Sequence, residues 1–389
     1  MSAVSAERFA AFRHRPFLLY WSSRFFATFA TQILSVAVGW QVYDLTRDPL
    51  DLGLIGLVQF APSLLLVLVT GTVADRFGRR LIMGLSIALE ALCALSILVL
   101  TMRGLDAVGP IFVILLLFGI ARAFMGPASA SLVANLVPTE AFANAVAWNS
   151  SAWQTATIVG PVAGGLLYGI SAVTAYSCAT VLMTIAALLI FLVPKPQQRM
   201  NTARPSFDAL FAGFRYIWQE KVVLGAISLD LFAVLLSGAT ALLPVFARDI
   251  LVLGPWGLGV LRAAPGIGAI LVAVWLAGHP LRDHAGVILL VFVALFGVST
   301  VVFGLSTVAW LSIIALALVG ATDMVSVYVR ETLLQLWTPD EVRGRVNAVN
   351  MVFLGASNEL GEFRAGTMAA LIGTVPAVVS GGVGAVAVA

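Results

Sequence analysis

Four ionisable residues, Arg24, Arg122, Asp230 and Asp323, sit inside long apolar runs of a chain in which only 11% of the 389 residues are charged. Two further carboxylates, Glu359 and Glu362, share a later run with Arg364. A charge in an apolar run is costly, and such residues normally face a bundle interior or a water-filled cavity. There they can do two kinds of chemistry. They can hold a polar small molecule, or a carboxylate can take up and release a proton as its surroundings change. Desolvation favours the neutral acid and a nearby guanidinium favours the anion. Asp230, Asp323, Glu359 and Glu362 are the carboxylates placed for this second role. The histidines are not, because His14, His279 and His284 all lie at the edges of apolar runs.

The composition names the solvent that these residues must be held in. Hydrophobic residues make up 60% of the chain, and a soluble domain would carry about 25% charged residues. Many runs reach about 20 residues, enough to cross a hydrocarbon core of about 30 Å. They are continuous and rich in Leu, Ala and Val rather than alternating, which predicts spanning helices and not a barrel. A net charge of +3 is too small to suggest a nucleic-acid partner. Cys93 and Cys178 each lie within an apolar run and predict no disulfide framework. The N-terminus, MSAVSAERFAAFRHRPF, is basic but has no short apolar core with a cleavage site, so no removable signal peptide is expected.

Twelve spans are predicted, at 17–43, 51–74, 81–101, 107–136, 141–169, 172–193, 222–248, 255–277, 286–305, 308–336, 342–373 and 375–389. The last is short for a crossing, about 22 Å at the helical rise. Either the chain continues beyond Ala389 or this helix is incomplete. With the N-terminus in the cytoplasm, 14 of the 22 Lys and Arg residues fall on the cytoplasmic side. Only Arg47, Arg103 and Arg248 fall on the far side, and five arginines lie within spans. This bias predicts both termini in the cytoplasm.

The chain repeats itself. A shift of 201 brings Pro138-Thr-Glu140 onto Pro339-Asp-Glu341, Asn149 onto Asn350 and Gly160 onto Gly361. A shift of 206 brings Ser22, Phe26 and Ala27 onto Ser228, Phe232 and Ala233. Two similar six-helix bundles are therefore expected, at residues 1–193 and 222–389. A cytoplasmic linker over 194–221 would join them. Within it Phe207, Leu210, Phe211, Phe214 and Trp218 have helical spacing, predicting an amphipathic surface helix. A disordered linker is the plainer alternative.

Under the repeat Arg24 corresponds to Asp230 and Arg122 to Asp323. Two cations in one half thus match two anions in the other, and a parallel duplication of this kind is expected to hold a site near the midplane. One reading has the four lining a polar cavity. The other has them as ion pairs that only hold the halves together. Glu90, alone in its span, pairs with a neighbouring helix or titrates. Arg330 and Glu331 lie near the end of their span, where snorkelling is the simpler reading.

The stretch GTVADRFGRR, between the second and third spans, resembles the signature loop of the major facilitator superfamily through Gly71, Asp75, Arg76, Gly78, Arg79 and Arg80. That resemblance implies a fold of twelve transmembrane helices in two pseudo-symmetric bundles. It also implies a latch, in which Asp75 meets the N-terminal end of the eleventh span. There unpaired backbone N–H groups favour an anion. GPVAGG, with Gly160, Pro161, Gly164 and Gly165, resembles part of the motif of antiporter-type exporters, although Ala147 and Ala156 stand where that motif has glycines. The stretches GWQVYDLTRDPLDLGLIGLVQFAPSLL, TPDEVRGRVNAVN and GASNELGEFRAGTMAALIGTVPAVVSGGVG are similar to the bacterial branch of enterobactin-type siderophore exporters, the transmembrane secretion effectors.

The resemblance implies a secondary active exporter in the cell (inner) membrane, driven by proton antiport and acting as a monomer on a small organic molecule such as a siderophore or drug-like compound. An uptake symporter and, further off, a non-transporting sensor are the alternatives. No HExxH, GxSxG, GxxxxGK[ST] or Cys/His cluster occurs, so neither an enzyme, nor a nucleotide-driven pump, nor a bound cofactor or metal is expected.

Overall fold

The computed structural model describes residues 8–195, 214–279, 281 and 284–389. The side chains at 67, 68, 71, 72, 74–76, 127, 130, 131, 134, 340, 341 and 348 lie outside that description. Among the described residues there are helices and no strands. Helices occupy all twelve predicted spans: α1 (Arg15–Thr46), α2 (Pro49–Phe77), α3 (Arg79–Met102), α4 (Gly109–Leu132), α5 (Thr139–Ile170), α6 (Ala172–Leu192), α7 (Lys221–Ser237), α8 (Gly254–Gly278), α9 (Ala285–Leu305), α10 (Ala309–Trp337), α11 (Asp340–Ile372) and α12 (Thr374–Val388).

Among the described residues nine helices are long and apolar enough to cross a membrane. The other three are α5, α11 and the 15-residue α12. α12 is held by close backbone approach: a Cβ at Gly382 would stand 2.7 Å from the Gly297 carbonyl of α9, and one at Gly297 2.6 Å from the Gly382 carbonyl.

The chain divides into two compact units. The first comprises Met1–Val38 and Ala61–Pro205, and the second Gly39–Phe60 and Ser206–Ala389. In the first, Phe17 and Tyr20 of α1, Ile82, Met83 and Ile87 of α3, Leu132 of α4 and Ala186 and Ile190 of α6 form one buried cluster. In the second, Ala226 and Ala233 of α7, Leu289, Val293 and Phe296 of α9 and Val325 and Val329 of α10 form another. The stretch 39–60, from the Thr46 end of α1 and the start of α2, packs within this second unit. Gly53 lies against the Glu362 and Phe363 carbonyls of α11, 3.1 Å from where its Cβ would be, and Gly366 returns the contact to Pro49 and Gly53.

Of the predicted linker helix, residues 214–219 are described and helical. Ile217 is buried against Val223, Ile227 and Leu334, the Phe214 ring lies 5.3 Å from that of Phe353, and Tyr216 Oη donates to the Trp337 carbonyl at 2.6 Å. Ser206, Phe207, Leu210 and Phe211 lie outside the described residues.

The seventh span differs from expectation. It is not one helix. α7 stops at Ser237, and the chain continues as a 3-10 turn (Ala239–Leu242), one α-turn (Leu243–Val245) and a π-helical turn (Phe246–Ile250). Hydropathy cannot reveal such a break, because every residue from 239 to 247 is apolar apart from Thr240.

α8 and α10 cross with their backbones in close approach. A Cβ on Gly320 would collide with the Pro265 carbonyl, and one on Gly268 with the Ala317 carbonyl. Gly320→Val should therefore destabilise the protein by about 1–3 kcal/mol, the usual cost of overpacking. Gly225→Ala, at a position with open space around it, should be neutral or gain up to about 1 kcal/mol. Thermal unfolding followed by size-exclusion in detergent separates the two.

Candidate functional site

The break in α7 builds the site. Gly238 takes the left-handed conformation at φ 38°, and a Cβ there would overlap the Gly361 carbonyl of α11. Only glycine satisfies both demands. Ending a helix inside an apolar bundle leaves carbonyls without partners. The Arg364 guanidinium of α11 donates to one of them, that of Leu236. Arg364 is therefore a structural cation, a role its place in the sequence did not reveal.

Beside the break lies a cavity of about 180 Å³ within the second unit. Its polar wall comes from Ser237 and Thr240 at the break, Thr300 of α9, Asp323 of α10, and Asn358 and Glu362 of α11. Phe296, Phe303, Leu243 and Val319 supply the apolar wall, and Pro265 and Gly320 close one side. Two of the six predicted ionisable site residues, Asp323 and Glu362, thus open on one space. Discontinuous helices with polar linings are where transporters commonly hold ions and cargo.

The cavity's charge is balanced from α8. Arg262 lies within electrostatic reach of Glu362 and, more weakly, Glu359. All three gather at glycines of α1 and α2. A Cβ at Gly39 would stand 3.9 Å from Arg262 Nη1, and one at Gly56 would collide with Glu359 Oε2 and stand 3.2 Å from Glu362 Oε2. Sequence reasoning placed Arg262 in a span without giving it a role. Its signal was available: it is as far inside an apolar run as Arg24.

Asp230 is used differently. It is buried, 6% exposed, and forms an ion pair with Arg330 of α10, itself 1% exposed. Arg330 does not snorkel, contrary to expectation, because Asp230 offers it a partner at its own depth. Asp323 stands seven residues before Arg330, two turns along the same face of α10. It feels both charges of the pair and has no ion pair of its own among the described residues. Glu331 accepts a hydrogen bond from Asn350 Nδ2 of α11 at 3.1 Å.

In the first unit, Arg24 is half-buried and donates to Ser129 Oγ of α4. Tyr20 Oη donates to the Ser129 carbonyl at 3.0 Å. Arg122, on α4, is exposed. Trp148 donates to the Arg8 carbonyl at 2.9 Å and anchors the N-terminal segment. Gly160 and Gly164 of the predicted exporter motif are buried with Pro161 and Gly165, and bring α5 onto α1. A Cβ on Gly160 would lie 2.6 Å from Gln32 Cβ, and one on Gly164 3.0 Å from Ile33 Cα. In the signature loop Gly78 has φ 88°, a left-handed link between α2 and α3. Arg80 Nη2 donates to the Phe191 carbonyl at the end of α6 at 2.9 Å, a favourable place for a cation. Arg79 is half-buried. The side chains of Asp75 and Arg76, and position 71, lie outside the described residues.

A polar cluster missed by sequence reasoning ties the Thr46 end of α1 to the π-helical turn after α7. Tyr43 Oη donates to Asp249, Asp44 pairs with Arg248, and Arg47 reaches Asp249 at 3.3 Å. Arg248 also stands 5.5 Å from the Trp40 ring centroid. The five polar side chains come from two segments about 200 residues apart, so spacing alone could not join them.

Comparison with known proteins fits this architecture. Residues 6–389 match the family described as transmembrane secretion effector. An enterobactin exporter of Escherichia coli O1:K1 is 26% identical over 351 residues, covering 86% of this chain and 81% of that protein. The enterobactin exporter of Citrobacter koseri is 25% identical over 354 residues, with the same coverage. Among solved structures, an inward-facing bacterial homologue of the human lysosomal transporter Spinster superposes with a TM-score of 0.71 at 14% identity, covering 98% of this chain and 94% of that one. A POT family transporter in complex with 5-aminolevulinic acid gives 0.75 at 11% identity, covering 96% and 94%.

The buried pair sets a stability test. Removing one partner, as in Asp230→Leu or Arg330→Met, should cost about 3–5 kcal/mol, because the other charge is left uncompensated. The double variant should recover much of that loss. Thermal unfolding of the three variants closes the cycle.

Proposed function

This chain belongs to the transmembrane secretion effector family of the major facilitator superfamily, and from that premise we propose that it is a proton-coupled exporter of a small organic molecule. It is a multi-pass membrane transporter and not an enzyme. The observation that carries the finer reading is the cavity at the α7 break, where Asp323 and Glu362 meet hydroxyl and amide groups in an apolar surround.

The cycle is alternating access by the six-helix halves 1–193 and 222–389, joined by the linker 194–221. A proton entering from outside adds to a cavity carboxylate, –COO⁻ + H⁺ giving –COOH, and leaves on the cytoplasmic side. Arg262 is the counter-charge that Glu362 keeps while ionised. Neutralising either cavity carboxylate changes what the site binds, which links proton uptake to cargo release. Each charge moved across 100 mV contributes about 2.3 kcal/mol. Arg24 and Arg122 are assigned to anionic or catecholate cargo, a class supported by the enterobactin carried by the relatives. Asp75, Arg76, Arg79 and Arg80, with Gly71 and Gly78, form the cytoplasmic latch that favours one access state. The polar cluster of Tyr43, Asp44, Arg47, Arg248 and Asp249 then lies on the far side of the membrane. Both termini are cytoplasmic and the working unit is a monomer.

Cells lacking the protein should accumulate its cargo, drawn from a panel of siderophores, macrolides and dyes. Restoring the protein should lower accumulation, and an uncoupler should abolish the difference. Inverted vesicles distinguish export from proton-driven uptake: export requires cargo to enter the vesicle lumen as protons leave it. Asp323→Asn or Glu362→Gln should cut that rate by at least about tenfold, or about 1.4 kcal/mol. Full activity in both variants contradicts the assignment.

A further inference from the structure

Glu90 is a carboxylate that the proposed cycle does not use. It lies midway along α3, is 0% exposed, and neither side-chain oxygen has a hydrogen-bond partner among the described residues. Its neighbours along the helix face are the buried Met83, Ile87, Ala94 and Ile97. α3 packs on α4 and α6 and shares a core with α1.

Apart from Arg79 and Arg80 at the start of α3, and Arg15, Tyr43 and Asp44 toward the ends of α1, the ionisable groups on these helices are few. α4 offers Arg122 alone. α6 brings Tyr176 and Cys178, and α3 itself brings Cys93, one turn away. On α1, Arg24 and Tyr20 are engaged with Ser129. Among the described residues only Arg122 is in electrostatic reach as a counter-charge, and its side chain is exposed rather than bonded to the carboxylate. An ionised carboxylate with no hydrogen bond in an apolar core is far costlier than the neutral acid.

We propose that Glu90 is a proton-binding site of the first unit, neutral in this conformation and exchanging its proton with water along the side occupied by Arg122. The step is –COOH giving –COO⁻ + H⁺, with the Arg122 guanidinium as the cation that accompanies the anion and no other reactant required. The site is separate from the Asp323 and Glu362 cavity, which lies in the other unit, so it stands or falls independently of the coupling roles given to those residues.

The test needs no cargo. Infrared spectra of the purified full-length protein in lipid nanodiscs report protonated carboxyl groups through their C=O stretch. Wild type minus Glu90→Gln should show one such band, and in D₂O that band should shift as its proton exchanges. In Arg122→Leu the band should remain and its exchange should slow several-fold. Should Glu90→Gln fail to fold, Glu90→Asp in protein carrying carboxyl-labelled glutamate gives the same subtraction. No difference band means that Glu90 is ionised and overturns the proposal. A band that never shifts in D₂O makes Glu90 a sealed structural acid and also overturns it. An unchanged exchange rate in Arg122→Leu removes the route assigned to Arg122.

Discussion

Interrupting a helix inside hydrocarbon uncovers backbone carbonyls that no water is there to satisfy. At Gly238 the Arg364 guanidinium takes up one of them by donating to Leu236. The break is kept narrow by glycine, since Gly238 and Gly361 bring α7 and α11 closer than any side chain would allow. What the interruption gives in return is a polar recess. Ser237 and Thr240 line it together with Asp323 of α10 and Glu362 of α11.

Each buried charge is then sorted by whether the fold gives it a partner. Asp230 and Arg330 satisfy each other, and Arg364 satisfies the backbone. Arg262 is shared by Glu362 and Glu359. Asp323, two turns from Arg330, receives a field but, among the described residues, no ion pair. Pairing favours permanence, because breaking it is costly. Under the proposed proton coupling, groups that change charge during the cycle are better left incompletely paired, which separates Asp323 and Glu362 from Asp230 on physical grounds. The same logic isolates Glu90 in the first unit.

Much of this was legible in the sequence. The apolar runs placed eleven of the twelve helices to within a few residues, with α7 ending early at Ser237, because hydropathy and length are what the bilayer reads. The in-span charges pointed to Asp323 and Glu362 by the same argument of cost. The break in α7 was not legible, since a 3-10 turn and a π turn in an apolar stretch leave the hydropathy of a helix intact. Nor was the partner of Arg330. Snorkelling is the default for an arginine near a helix end, and only the placement of α7 beside α10 supplies Asp230. The roles of Arg262 and Arg364 needed the glycines of neighbouring helices to show where their guanidinium groups are held. The Tyr43, Asp44, Arg47, Arg248 and Asp249 cluster needed the fold to bring together two distant segments.

If the recess at the α7 break is a water-filled acidic site, its chemistry can be read from outside. Thr240→Cys, in a background with Cys93 and Cys178 replaced, places one thiol on its wall. A small cationic thiol reagent should modify that cysteine several-fold faster than an anionic reagent of the same size, and Asp323→Asn with Glu362→Gln should erase the preference. A thiol that reacts with neither reagent, or with both alike while the two carboxylates are intact, would contradict the site.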